Sequence, residues 1–153
     1  MLAPLAGGCG YNSLVSADES VKAAWAQVEN VYQRRADIVP KMLETVKGAA
    51  NFEPDTITAV TEARAKVGQV NTGGKAPSTP EELAKFQAAQ DQLSGALGRL
   101  LVVSERYPDL KSNENFLALQ SQLEGTENRI AIARRDYNDA VRDYNTTLVV
   151  LPT

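Results

Sequence analysis

Histidine is missing from this sequence, and cysteine and tryptophan occur once each, as Cys9 and Trp25. Without histidine there is no His-based triad, no histidine general base, no His-ligated metal and no histidine pH switch. A single cysteine excludes an intramolecular disulfide and a zinc ribbon. A long apolar run is lacking too. The first residues, Met1 to Ala17, carry no charged side chain, but Pro4, Gly7, Gly8 and Gly10 interrupt them. They therefore do not form a spanning helix of about 20 apolar residues. No charge of one sign dominates: 16 Lys and Arg stand against 19 Asp and Glu, a net charge of −3. That balance does not suit nucleic acid. Neither a Gly-x-Ser-x-Gly elbow, nor a phosphate loop, nor a dinucleotide fingerprint occurs, so neither an enzyme nor a cofactor is expected.

What is present suits one folded domain. The chain has 153 residues, 43% of them hydrophobic and 23% charged, enough to build a core and unlike a disordered tail. Six of the seven prolines (4, 54, 77, 80, 108 and 152) stand where a helix would begin, end or be linked. Pro40 alone falls inside a periodic stretch, where it would either kink one helix or separate two.

Four helices are predicted. The first opens on a capping box at Ser16-Ala17-Asp18-Glu19 and runs to about Ala50, with Val21, Ala24, Trp25, Val28, Val31, Tyr32, Ile38, Val39, Met42 and Val46 at helical spacing. A shorter helix follows Pro54-Asp55, with Ile57, Val60, Ala63, Arg64 and Val67 along one side. Val70 to Ser78 reads as a Gly- and Pro-containing linker. The third helix opens on a second capping box, Thr79-Pro80-Glu81-Glu82, with a seam of Leu83, Phe86, Gln90, Leu93, Leu97, Leu100, Ser104 and Tyr107. Tyr107 to Lys111 makes a turn.

In the last helix Phe116, Leu123, Ile130, Tyr137, Tyr144 and Leu151 recur every seven residues, with Leu119, Thr126, Ala133 and Ala140 as companions, a knobs-into-holes pattern. Heptads also suit an extended rod that dimerises. Connections of about four to ten residues favour antiparallel packing within one chain. The expectation is an all-α, elongated antiparallel four-helix bundle with long first and last helices over residues 16–153, preceded by a signal-like segment at 1–15.

That segment contains Leu5-Ala6-Gly7-Gly8-Cys9-Gly10, which looks like the end of a bacterial lipoprotein signal, although Leu5 stands four residues before Cys9 and not the usual three. The pattern suits a lipid on Cys9, with most of a signal removed and Met1 belonging to the truncation; the alternative is an unmodified thiol in a floppy N-terminus. A diacylglycerol thioether supplies the two acyl chains that stable anchoring needs. Gly10 is not the aspartate that retains lipoproteins in an inner membrane, which points to an outer membrane in a Gram-negative host.

Other polar groups are candidate sites. Asp136, Asp139 and Asp143 share one helix face, but Arg135 and Arg142 lie within a turn of Asp139 and no histidine is available, so no metal site is expected. Arg34, Arg35 and Asp37, and separately Glu127, Asn128 and Arg129, form polar clusters in apolar rods. They suit ligand recognition or, more simply, interhelix pairs that fix register. Tyr137-Asn138 and Tyr144-Asn145 repeat seven residues apart and read as core tyrosines with polar partners. Gly95 and Gly125 lie behind the seams.

Four stretches in fixed order resemble the bacterial LemA family. They are Tyr11 to Val15 with Ala24 to Glu29; Gln33 to Pro40 with Glu44 to Gly48; Glu105 to Lys111; and Leu119-Gln120 through Thr126 to Ile130, Ala133-Arg134 and Tyr137-Asn138. The motifs R-R-A-D-x-x-P, Y-P-D-L-K and T-E-N-R-I carry the resemblance, which covers most of Tyr11 to Pro152. It implies a helical bundle at a bacterial membrane, with no settled activity. Many members have an N-terminal membrane helix and a longer apolar tail, so the chain is expected to be trimmed at both ends. The functional expectation is a membrane-anchored, non-enzymatic envelope protein that binds other envelope proteins. Self-assembly into rings or filaments on the membrane is the alternative.

Overall fold

The computed structural model describes residues 8–70 and 73–150. Among these residues there is no strand, and the elements are α1 (Gly8–Lys47), α2 (Pro54–Gln69), α3 (Pro80–Ser104), the single turn α4 (Pro108–Lys111) and α5 (Glu114–Val150). The fold is an all-α bundle in which the long first and last helices pack extensively against each other. Helices α1 and α5 run antiparallel, as do α2 and α3. The heptad positions Phe116, Leu123, Ile130 and Tyr137, with Leu119, Thr126 and Ala133, are buried, so this seam is spent within the chain. Tyr144 and Ala140 are only half-buried, and Leu151 lies outside the described residues.

Local chemistry explains the helix starts. Pro54, Pro80 and Pro108 each occupy the first turn of their helix, where a missing N–H costs no bond and the fixed φ suits the helix. Thr79 caps α3 by accepting from the Glu82 amide at 3.1 Å. Glu82 does not return the bond to Thr79, as the expected box would have it. It reaches one residue further and accepts from both the Ser78 N–H and hydroxyl, at 2.9 and 3.0 Å.

The box at Ser16 is a correction. Helix α1 is already formed at Gly8, and Ser16 lies well inside it, its carbonyl accepting from the Ser20 hydroxyl. Pro40 does not divide the helix either: α1 is continuous through it, although the Ala36 carbonyl loses its usual donor four residues on. Tyr107 leaves the α3 seam and precedes α4. There its ring packs on Phe52 (centroids 4.7 Å) and its hydroxyl donates to the Asn51 carbonyl. That bond ties down the α1–α2 turn, in which Asn51 adopts a positive φ of 59°, a conformation asparagine tolerates well.

The core has two parts. The lower one, where all four long helices meet, is largely aliphatic and includes Val39, Met42, Val46, Val60, Leu93, Leu97, Leu100, Phe116 and Leu123. The upper one is built by α1, α3 and α5 and is rich in rings: Trp25 lies 4.9 Å from Phe86 and 5.1 Å from Tyr137, and Tyr32 lies 5.5 Å from Phe86. Burial of this order supplies about 1.5–3 kcal/mol per large apolar side chain. Above the aromatic part α2 and α3 have ended, and α1 and α5 continue alone as a two-helix stem. The bundle therefore tapers from four helices to three to two.

Candidate functional site

Arg35 lies between the two parts of the core and is completely buried. It faces inward because it shares the α1 stripe with Tyr32, Ile38 and Val39, so its charge must be answered inside the bundle. One terminal nitrogen, Nη1, donates to Glu127 of α5 at 2.8 Å and to the Ser94 hydroxyl of α3 at 2.5 Å. The other, Nη2, donates to Gln90 of α3 twice, to its side-chain oxygen at 2.6 Å and its carbonyl at 2.9 Å. The guanidinium also lies over the Tyr32 ring, 5.0 Å from its centroid, a favourable cation–π arrangement. One side chain thus pins α1, α3 and α5 at a fixed register. The Ser94 hydroxyl additionally contacts Glu127 at 3.2 Å.

Two buried polar atoms of this node have no hydrogen-bond partner among the described residues, the Arg35 Nε and the Tyr32 hydroxyl. Burial raises the Tyr32 pKa above its ordinary value, while the positive charges of Arg134 and Arg35 pull it down. Arg134 itself bridges α5 to α3 through Asp91 at 2.6 Å. Burial also raises the pKa of Tyr137. Both hydroxyls are therefore protonated at ordinary pH, and both rings serve as core residues.

Each of the two polar clusters read from the sequence sends one residue to this node. Arg35 and Glu127 meet, whereas Arg34, Asp37, Asn128 and Arg129 are exposed. Sequence spacing had also placed Gln90 in the α3 seam, without a role; its role is to bind Arg35. Ser94 was missed, and its signal was a small polar residue one turn after Gln90.

Beside the node is a cleft of about 250 Å³, bounded by Glu29, Tyr32 and Gln33 of α1, Arg64 and Val67 of α2, and Phe86 and Gln90 of α3. The indole N–H of Trp25 donates to Glu29, so the carboxylate at its rim is already engaged. The cleft contains no nucleophile paired with a base.

The other candidates are surface features. Asp136, Asp139 and Asp143 are exposed, and Arg142 pairs with Asp139. Among the described residues no group of three or more Cys, Asp or Glu side chains could hold a metal. Gly95 and Gly125 face open space, since a Cβ added to either would meet nothing within 4 Å. Cys9 belongs to the first turn of α1. No helix among the described residues is long and apolar enough to cross a membrane.

The apolar surface is uneven. At the outer end of the stem Tyr11, Val15, Leu148, Val149 and Val150 are exposed, Val149 at 84%. Elsewhere Val102, Leu117 and Ile132 are exposed singly, which is ordinary for a protein surface.

Comparison with known proteins places these features in context. The model described as LemA family matches residues 24–153. Magnetosome protein MamQ 2 of Paramagnetospirillum magneticum is 27% identical over 158 aligned positions, covering 93% of this chain and 58% of the relative. Protein LemA of Metamycoplasma hominis is 25% identical over 137 positions, covering 90% and 58%. Magnetosome protein MamQ of Magnetospirillum gryphiswaldense is 24% identical, again with 93% and 58% covered. The chain thus spans a little over half the length of the curated relatives it matches.

Proposed function

The chain belongs to the LemA family, and from that premise we propose a membrane-anchored, non-enzymatic helical protein of the bacterial cell envelope that acts as an interaction or scaffold module. The observation that carries the reading is the position of Cys9. It stands at the far end of the α1–α5 stem, about 24 Å of helix above Trp25, where a lipid on its sulfur would attach the molecule by its tip. The four-helix part would then stand away from the membrane with its sides free for partners. Two relatives carry names drawn from a cellular structure, the magnetosome, and not from a reaction, which agrees with a non-enzymatic role.

Metabolic fatty-acid labelling and membrane fractionation of the full-length precursor, beside its Cys9→Ser variant, test the anchor. The native protein should be labelled and sediment with membranes, and the variant should do neither. If neither protein is labelled and the two fractionate alike, the lipid anchor is wrong. Crosslinking in cells should then recover envelope proteins; recovery of nothing but the chain itself would favour the second reading, self-assembly. That reading draws on the open surface behind Gly95 and Gly125 and is excluded by a strict monomer in light scattering at high concentration.

A further inference from the structure

We propose that the outer end of the stem, formed by α1 and α5 together, inserts into the interfacial layer of a lipid bilayer. The inference rests on the membrane-bound reading above and adds a surface to it. In α1, Gly8 to Ala17 carry no ionisable charge; in α5, nothing after Asp143 does. These two segments lie at the same end of the molecule. The register is set by Arg35 against Glu127 and Trp25 against Tyr137, and Val21 and Val141 each pack against the aromatic part of the core. Carried outward, it brings Leu14 opposite Leu148 and Glu19 opposite Asp143.

Charge therefore begins at one level on both helices. The ring at that level holds Asp18, Glu19 and Lys22 on α1 and Asp139, Arg142 and Asp143 on α5. A partner protein or a second copy of the chain would tolerate charges scattered among apolar contacts. A flat boundary across two helices, charge-free on one side and ringed by charge on the other, is what a lipid–water interface demands. The depth also fits. On α5 the charge-free segment from Tyr144 to Val150 extends about 10 Å, and interfacial segments sink roughly 5–10 Å. Half-buried Tyr144, next to the charged ring, suits the zone between water and acyl chains, where tyrosine keeps one end wet.

The ring also predicts the lipid. It has more acids than bases, and both bases are engaged within it, Lys22 with Asp18 and Glu19 and Arg142 with Asp139. No cation is left to recruit anionic headgroups, so insertion is driven by apolar surface and suits zwitterionic lipid.

The test uses tryptophan emission on phosphatidylcholine vesicles containing brominated acyl chains. The native Trp25 is buried within the protein and should be unaffected. Val149→Trp should lose a clear part of the emission it adds to that of Trp25, as expected for a side chain at interfacial depth, while the emission added by Val102→Trp, exposed on α3 at the opposite end, should be unchanged. Adding phosphatidylglycerol should not strengthen the effect, and salt should not weaken it. Equal emission from Val149→Trp with and without brominated lipid, in a protein that labelling and fractionation place at the membrane, overturns the inference and leaves the membrane reading standing. A blue-shifted Val149→Trp emission without vesicles, together with a doubled mass in light scattering, would assign the surface to a second copy and overturn it as well. Binding that needs phosphatidylglycerol and collapses in salt would also overturn it.

Discussion

Below Arg35 the bundle holds sixteen buried apolar residues drawn from every helix; above it, eight residues, half of them aromatic, do the same work. The contrast follows from the number of helices available. Where four helices meet, aliphatic side chains from each fill the space between them. In the upper part only α1, α3 and α5 contribute buried residues, and Trp25, Tyr32, Phe86 and Tyr137 fill the space between them, because one ring covers 150–250 Å². The lower part gains stability from many interchangeable contacts and the upper from a few large ones, so damage should spread differently through the two.

The largest effect is expected from Leu123→Asp, which buries an unpaired carboxylate in the lower core. It should cost about 5 kcal/mol, enough to unfold a typical domain. An unchanged circular-dichroism melt would contradict the core assigned to that part. Arg35→Ala removes the residue joining the two parts and should cost about 3 kcal/mol. This is the low end for a broken buried pair, since Glu127 is a third exposed. Denaturant unfolding would measure it, and a loss under 1 kcal/mol would mean that the node contributes little. Trp25→Ala should cost about 3 kcal/mol as well, but locally. Amide exchange should quicken in the upper parts of α1 and α5 while the amides around Leu97 and Leu100 stay protected; uniform acceleration would erase the distinction between the two regions.

A smaller effect is expected at Tyr32. The Tyr32 hydroxyl makes no well-aligned hydrogen bond, although Arg134 is close enough to interact with it, so Tyr32→Phe should change stability by less than about 1 kcal/mol. A clear loss in a thermal melt would reveal a partner for that oxygen. The smallest concerns Glu82, whose pKa is held below its ordinary 4.5 by the Ser78 N–H and hydroxyl. A carboxylate with a depressed folded pKa stabilises fully above its unfolded value, and that contribution is lost as pH falls through the folded one. An NMR titration should place the Glu82 midpoint below 4.5, and Ser78→Ala should bring it part of the way back. Coincident midpoints in the two proteins would count against the Ser78 hydroxyl bond.

The two regions also differ in how far the sequence disclosed them. Helix starts marked by proline were legible because Pro54, Pro80 and Pro108 act within the first turn, and the α5 heptads were legible because their period matches a buried seam. The start of α1 was not. Gly8 and Gly10 are poor helix formers, so local propensity pointed away from a start there. Capping patterns are local and can mislead: the Ser16 pattern fits the rule yet lies mid-helix. In the candidate site, polarity was visible at Arg35, Gln90 and Glu127, but which residue of each charged cluster turns inward depends on register between helices. Asp37 and Arg129 differ from Arg35 and Glu127 by only two positions, which places them on the solvent side.

The taper has a mechanical meaning. A rod of four packed helices resists bending far better than a pair, so the molecule is stiff at its base and compliant toward the stem. Thermal motion will concentrate in the slender end, and the base will swing as one body about it. A load applied at the tip would reach the aliphatic base only after passing the ring of aromatics and the Arg35 clasp. The molecule is thus a handle, a hinge and a clamp in series, with its stiffness graded by where each helix stops.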